Sequence, residues 1–291
     1  MTSESAVIES PVPRAEDASI LPSGRFYACP VCKQALEVLQ DGFSCRACAR
    51  TYPIQGGIPD FIVVNLEASK NRSLHTVGEN DSHTLLNVLA STYERWVYPA
   101  VCNLYGGWRS TSLKQLAQDI SDIVGSRGGL ILDVACGPGT YGRRIASESR
   151  TVLGIDICMS MMRQGVQYVE SEHIPNVHFA RATVEALPFR AGLFDAAICA
   201  GSLNHFSDVA LALREINRTM KAGAPLAVMC FARINSGLIK YQSIRERAEK
   251  GGGHIYSVAE YGHLLVGAGF EDFRPHTYGS ILVFSARKTL A

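Results

Sequence analysis

"LILDVACGPGTYGRRIA", residues 130–146, decides the fold. An apolar run ends in an acid, Asp133, meets a loop carrying Gly137, Gly139 and Gly142, and continues as a helical pattern. The three glycines fit the G-x-G-x-x-G spacing of a nucleotide-binding turn between a strand and a helix. In a doubly wound sheet, a ligand at that turn meets loop amides and a helix N-terminus. Asp133 is out of place beside a pyrophosphate. Two like charges about 5 Å apart cost roughly 3 kcal/mol at an effective dielectric near 20, and a cationic ligand reverses the sign.

Further strands read at 151–157 (TVLGIDI), 176–182 (NVHFARA), 194–200 (FDAAICA) and 224–231 (APLAVMCF), with helical stretches at 160–173 and 208–223 between them. Near-continuous apolar strands alternating with helices argue for a parallel sheet covered on both faces. Two helices lead in, over 83–105 and 110–125, the second starting at a Ser/Thr cluster and stopping at Gly125. Ser257 and Glu260 have capping-box spacing, and 269–277 and 278–288 read as a terminal antiparallel hairpin. Asp156 ends the second strand about twenty residues after Asp133, where a carboxylate can accept two ribose hydroxyls. Asp156 therefore points to a nucleoside, and Asp133 selects S-adenosylmethionine, which carries a sulfonium and an ammonium and no phosphate. Both acids also fit a plainer reading as helix caps or turn residues.

The 291 residues are 47% hydrophobic and 19% charged, with a formal net charge of +1. No global pull toward nucleic acid or anionic membrane follows from that balance. No run approaches the roughly 18 apolar residues of a membrane span. Residues 1–24 are acidic, lack the pattern of a signal peptide, and are expected to be a mobile tail. A cytoplasmic, reducing setting is expected, in which the nine cysteines stay thiols or bind metal.

Residues 25–64 form a turn-rich block, 65–82 a polar linker, and 83–291 the main domain. Cys29, Cys32, Cys45 and Cys48 make two C-x2-C pairs twelve residues apart. Four thiolates in a tetrahedron suit Zn2+, and such a closed site is structural rather than catalytic. A redox dithiol and chance spacing are the competing readings. Cys102, Cys136, Cys158, Cys199 and Cys230 lie in or beside apolar segments and are expected to be buried.

Residues 25–64, closed by "TYPIQGGIPDFI", resemble zinc ribbons of the tRNA-methyltransferase-activator type, and similar ribbons precede the methyl-transfer domain of bacterial ribosomal-RNA guanine methyltransferases. Residues 129–231 resemble class I S-adenosylmethionine-dependent methyltransferases, in the ubiquinone/menaquinone C-methyltransferase branch. The resemblance rests on "LDVACGPG", with Ala135 at a common glycine position, on "LGIDICMSMM", on "RATVEALPF", and on "FDAAICAGSLNHFSD" with "ALREINRTMKAGAPL". It implies a seven-stranded Rossmann-like sheet with a terminal antiparallel hairpin. It also implies cofactor contacts from Tyr93, Asp133, Ala135, Gly137, Gly139, Asp156, Ile157, Met161, Thr183 and Val184. Met161 would border the adenine, and Thr183 replaces the usual adenine-binding aspartate, leaving its hydroxyl and the Val184 amide to reach the ring.

Transfer of a methyl group from a sulfonium needs alignment and exclusion of water, and a base only if the acceptor must lose a proton. His205 is the candidate base, with a packing or loop histidine as the plain alternative. Trp96 and Tyr98 could line an acceptor pocket or simply pack in the core, and His254 and Tyr256, after the glycines at 251–253, could belong to a lid or to an ordinary exposed loop. Two functions compete: a small-molecule enzyme acting on carbon or oxygen of an apolar or aromatic metabolite, and an RNA base methyltransferase gripping nucleic acid through its ribbon. Residues 25–64 hold four basic residues (Arg25, Lys33, Arg46, Arg50) against three acids (Glu37, Asp41, Asp60), without the basic stripe of a phosphate-binding module. The best basic stretch, 233–250, reads equally well as a solvated helix. A third reading has the ribbon dock a partner protein.

Overall fold

The computed structural model describes residues 25–62, 92–106, 111–125, 128–233 and 254–290. The expected tail (1–24), the linker (65–82), the start of the first leading helix, the glycines at 251–253 and nearly all of the basic stretch lie outside them.

The first block is a four-stranded antiparallel meander of β1 (Glu37–Leu39), β2 (Gly42–Cys45), β3 (Arg50–Gln55) and β4 (Ile58–Pro59). After a π-helical turn at Tyr93–Val97 come α1 (Tyr98–Gly106) and α2 (Leu113–Val124). The main sheet then alternates β5 (Gly129–Val134), α3 (Gly142–Ile145), β6 (Arg150–Asp156), α4 (Met159–Ser171), β7 (Val177–Arg181), β8 (Ala196–Ala200), α5 (Val209–Thr219) and β9 (Pro225–Phe231). It closes with α6 (Val258–Gly267) and the hairpin β10 (Phe270–Tyr278) and β11 (Ile281–Lys288). The seven strands run in the order β10-β11-β9-β8-β5-β6-β7. The five from β9 to the β7 edge are parallel, and β11 is antiparallel to β9.

Local chemistry sets the element ends. Ser112 caps α2 by accepting from the Gln115 amide at 3.1 Å, and Leu116, Ala117, Ile120 and Val124 form its buried face. Asp208 caps α5 through the Leu211 amide at 2.8 Å. The capping box forms at α6: Ser257 Oγ accepts from Glu260 N at 3.3 Å, and Glu260 Oε2 accepts from Ser257 N at 2.7 Å.

Pleating of β5 sends Leu132 and Val134 into one apolar layer and Ile131 into the other. The first of these layers also contains the ribbon. Tyr27, Phe43, Phe61 and Phe189 pack with ring centroids 4.8–5.7 Å apart, so three segments of the first block and one of the main domain share a single core. Backbone bonds reinforce the contact: Ala28 N donates to Pro188 O at 2.9 Å and Phe61 N to Arg181 O at 2.7 Å. Lys33 pairs with Glu215 at 2.7 Å. The ribbon is docked on its own second domain.

Candidate functional site

Where β5, β6, β7 and β8 end, their following loops enclose a cleft of about 480 Å3. This is the position that the carboxyl ends of parallel strands give to ligands in open α/β sheets. Its floor is the glycine loop. Ala135 stands at φ +52° and Gly137 at +54°, and both line the cleft. Gly139, at φ +73°, turns the chain behind the lining, where a Cβ would lie 3.1 Å from the Phe179 ring. The helix that follows, α3, is a single short turn rather than a long element.

Asp156 lines the cleft and is fixed by two amides: Oδ2 accepts from Gly137 N and Oδ1 from Cys158 N, each at 2.8 Å. A carboxylate has about four lone-pair sites, so accepting capacity remains for a ligand. Ile157, Met161, Thr183 and Val184 also line the cleft, and Met161 and Val184 are buried. The backbone of Tyr93 opens the π-helical turn; its side chain is outside the described residues.

Asp133 stands near the end of β5, as expected, but is buried there. The pleat turns it beneath the loop, between β6 and β8, and it does not line the cleft. Its Oδ2 accepts from Gly142 N at 3.1 Å. Burial pushes its carboxyl up to about 8, the Gly142 amide opposes that, and Asp156 adds to it. It therefore braces the loop, and its counter-charge to a cationic ligand is weaker than the surface-like Coulomb figure implies.

His205 ends a short 3-10 turn at Leu203–His205, lines the cleft and is exposed, with a pKa lowered by partial desolvation. A neutral imidazole near pH 7 is the form that can accept a proton. Tyr98 also lines the cleft, and its hydroxyl meets that of Tyr141 from the glycine loop at 2.6 Å. Trp96 is 66% exposed and does not line it, nor do His254 and Tyr256.

Sequence reasoning missed Asn204, which is buried beside His205. Its Nδ2 lies 2.9 Å from Phe231 O, 2.7 Å from His254 O and 2.8 Å from the Tyr261 hydroxyl, while its Oδ1 accepts from Phe231 N at 2.7 Å. This carboxamide pins the His205 turn to the end of β9. Its only sequence signal was a polar residue next to the candidate base. Arg143, also missed, is buried among Glu94, Glu172 and the Tyr168 ring, tying the leading helical segment to the glycine loop.

In the ribbon, the sulfurs of Cys29, Cys32, Cys45 and Cys48 all lie within 4.8 Å of one another. Cys29 and Cys48 are 3.9 Å apart and Cys32 and Cys45 3.5 Å, close to the ~3.8 Å edge of a tetrahedron with 2.3 Å zinc–sulfur bonds. Burial raises the Cys29 thiol, but hydrogen bonds from Tyr52 and the Cys32 and Val31 amides bring it down to about 6. The donor set fits Zn2+, with Tyr52 as an outer hydrogen-bond partner.

Residues 131–223 match the methyltransferase-domain family and residues 26–57 the Trm112p-like family. The larger domain is an S-adenosylmethionine-dependent methyltransferase. The methyltransferase chain is 24% identical to an uncharacterised chloroplastic methyltransferase of Arabidopsis thaliana, over 90% of this chain and 78% of the relative. It is 29% identical to the demethylmenaquinone methyltransferase of Porphyromonas gingivalis, over 51% of this chain and 60% of that one. The fold of the YcgJ protein from Bacillus subtilis superposes with a TM-score of 0.55 at 14% identity, covering 61% of this methyltransferase and all of that chain. Among the described residues no helix is long and apolar enough to cross a membrane.

Proposed function

We propose that this methyltransferase transfers the methyl group to a carbon or oxygen of a small apolar or aromatic metabolite, in the cleft at the head of the sheet. One observation carries the choice of acceptor class. Among the described residues lining the cleft there is no Lys or Arg, and the charged groups are Asp156 and Glu185. A cleft of that sign repels a phosphate-bearing acceptor and tolerates a neutral ring and a cationic donor. The names of the quinone-methylating relatives, such as the P. gingivalis demethylmenaquinone methyltransferase, agree with that class.

When bound, S-adenosylmethionine supplies an activated methyl group. In this proposal Asp156 accepts from the ribose, Ile157 and Met161 cover the adenine, and the Thr183 hydroxyl and Val184 amide meet its polar edge. Ala135, Gly137 and Gly139 keep the loop close to the ligand, and Tyr93 borders it from the leading segment. Asp133 acts through the loop, by holding Gly142. His205 takes the proton from an acceptor that must lose one, and Asn204 keeps its turn in place. The ribbon holds structural Zn2+ through its four cysteines and folds against the domain.

The test is methyl transfer from radiolabelled S-adenosylmethionine into a lipid and quinol extract and, separately, into total RNA. Label in the extract supports the assignment. Label in RNA overturns it in favour of a nucleic-acid acceptor, and label in neither, with tight cofactor binding, promotes a role as a partner-binding scaffold.

A further inference from the structure

The ribbon also touches the domain at one wall of the cleft, where Arg181 meets Asp60 and the Phe61 amide. We propose that Arg181 is a positioning residue for the cofactor cleft, held in place by Asp60 of the ribbon; this rests on the reading that the nucleoside binds in that cleft. Arg181 ends β7, the outermost strand of the seven-stranded sheet. Its guanidinium works in two directions: Nε donates to Ile157 O at 2.9 Å, and Nη1 donates to Asp60 Oδ2 at 3.0 Å. Its own carbonyl accepts from Phe61 N at 2.7 Å, so the chain after β4 lies beside β7 as a parallel neighbour.

Ile157 belongs to the loop after β6 and lines one side of the cleft; Ala182, Thr183 and Val184 follow Arg181 directly and line another. Arg181 thus ties the two walls together, in parallel with the bond from Ala182 N to Asp156 O at 3.1 Å. The ribbon fixes the far end of the same segment, where Ala28 N donates to Pro188 O and Lys33 Nζ to Leu187 O at 3.4 Å. Asp60 and Arg181 are 10% and 23% exposed, so their pairing is less screened than a surface ion pair. Asp60 is itself held, accepting from Ile62 N at 3.1 Å and from Gln55 Nε2 at 3.3 Å. An edge strand without a neighbour leaves its following loop free to move. Here the ribbon supplies both the neighbour and the counter-charge that aims the guanidinium at Ile157.

Only a planar fork can serve the two acceptors at once; an ammonium placed on Asp60 gives up the Ile157 carbonyl. The experiment uses the full chain and S-adenosylhomocysteine as the probe. Calorimetry gives its Kd for the wild type, Arg181→Lys, Asp60→Asn and the double variant, with melting temperature and hydrogen exchange of peptides covering 182–187 measured in parallel. Each single variant is expected to weaken binding about tenfold, within the usual span of coupling between sites, and to speed exchange in 182–187. The double variant is expected to be no weaker than either single one, because the two groups act as a unit. A lowered melting temperature with Kd unchanged within twofold overturns the proposal and makes the bridge a simple fastening of the ribbon. Failure of the wild type itself to bind S-adenosylhomocysteine sinks the cleft assignment instead, and this role with it.

Discussion

Replacing Asp133 by Asn tests whether the acid under the glycine loop is as deeply desolvated as its surroundings imply. In the folded protein its pKa is pushed up to about 8 by burial, whereas an unfolded chain keeps it near 3.9. Between those values the folded state binds a proton that the unfolded state has released, so the stability contribution is full at low pH and is lost as pH rises. The slope is about 1.4 kcal/mol per pH unit, or roughly 3 kcal/mol between pH 5 and pH 7. Asn keeps the shape and an oxygen for the Gly142 amide but does not titrate. Its amide nitrogen lacks an obvious acceptor and costs about 1–3 kcal/mol at every pH. Urea denaturation of both proteins without ligand, at pH 5, 6, 7 and 8, isolates the group, since every other titration cancels in the difference. The variant is expected to gain on the wild type by roughly 1.4 kcal/mol per pH unit and to be the more stable of the two by pH 7. A difference that stays constant across the series refutes the reasoning, because Asp133 would then be ionised throughout.

The ribbon–domain core holds a hydroxyl, that of Tyr27, with no hydrogen-bond partner among the described residues; Tyr27→Phe is expected to raise urea stability by about 1 kcal/mol or more, since the phenyl ring fills the same space without a stranded donor. Ala135 holds a left-handed backbone at φ +52°, so Ala135→Gly should be neutral or stabilising by up to about 1 kcal/mol, and Ala135→Val should cost about 2 kcal/mol, read by the same denaturation. His205→Ala is expected to lower kcat by about a hundredfold or more with S-adenosylhomocysteine affinity unchanged. Because desolvation lowers the His205 pKa, the wild-type rate should hold below the ordinary imidazole value of about 6.5 and fall only as pH drops through the lowered one. A rate unaffected by the substitution returns His205 to the role of a loop residue.

Much of the site was legible because its signals are local. The Asp156 carboxylate, the backbone at Ala135 and Gly137, Thr183 and Val184 stand where strand ends and following turns put them, and those positions are fixed by period and spacing. Asn204 and Arg143 were not legible. Each acts through partners 27 to 57 and 29 to 49 residues away in the chain, and a single polar residue carries no trace of such partners. The exposure of Trp96 is of the same kind, since whether an aromatic on a helical turn is covered depends on what packs over it.

By itself the sequence determined the alternation of strands and helices, the terminal hairpin, the capping box at Ser257 and Glu260 and the C-x2-C spacing of the four cysteines, because hydrophobic period, turn chemistry and ligand spacing are properties of neighbouring residues. Tertiary structure decided two things that no local rule reaches. The pleat of β5 between its two neighbours keeps Asp133 out of the cleft lining and buries it, and desolvation there raises its pKa. The shared core of Tyr27, Phe43, Phe61 and Phe189 made the ribbon part of the methyltransferase domain, because burying those rings against each other removes more apolar surface from water than either block can bury alone.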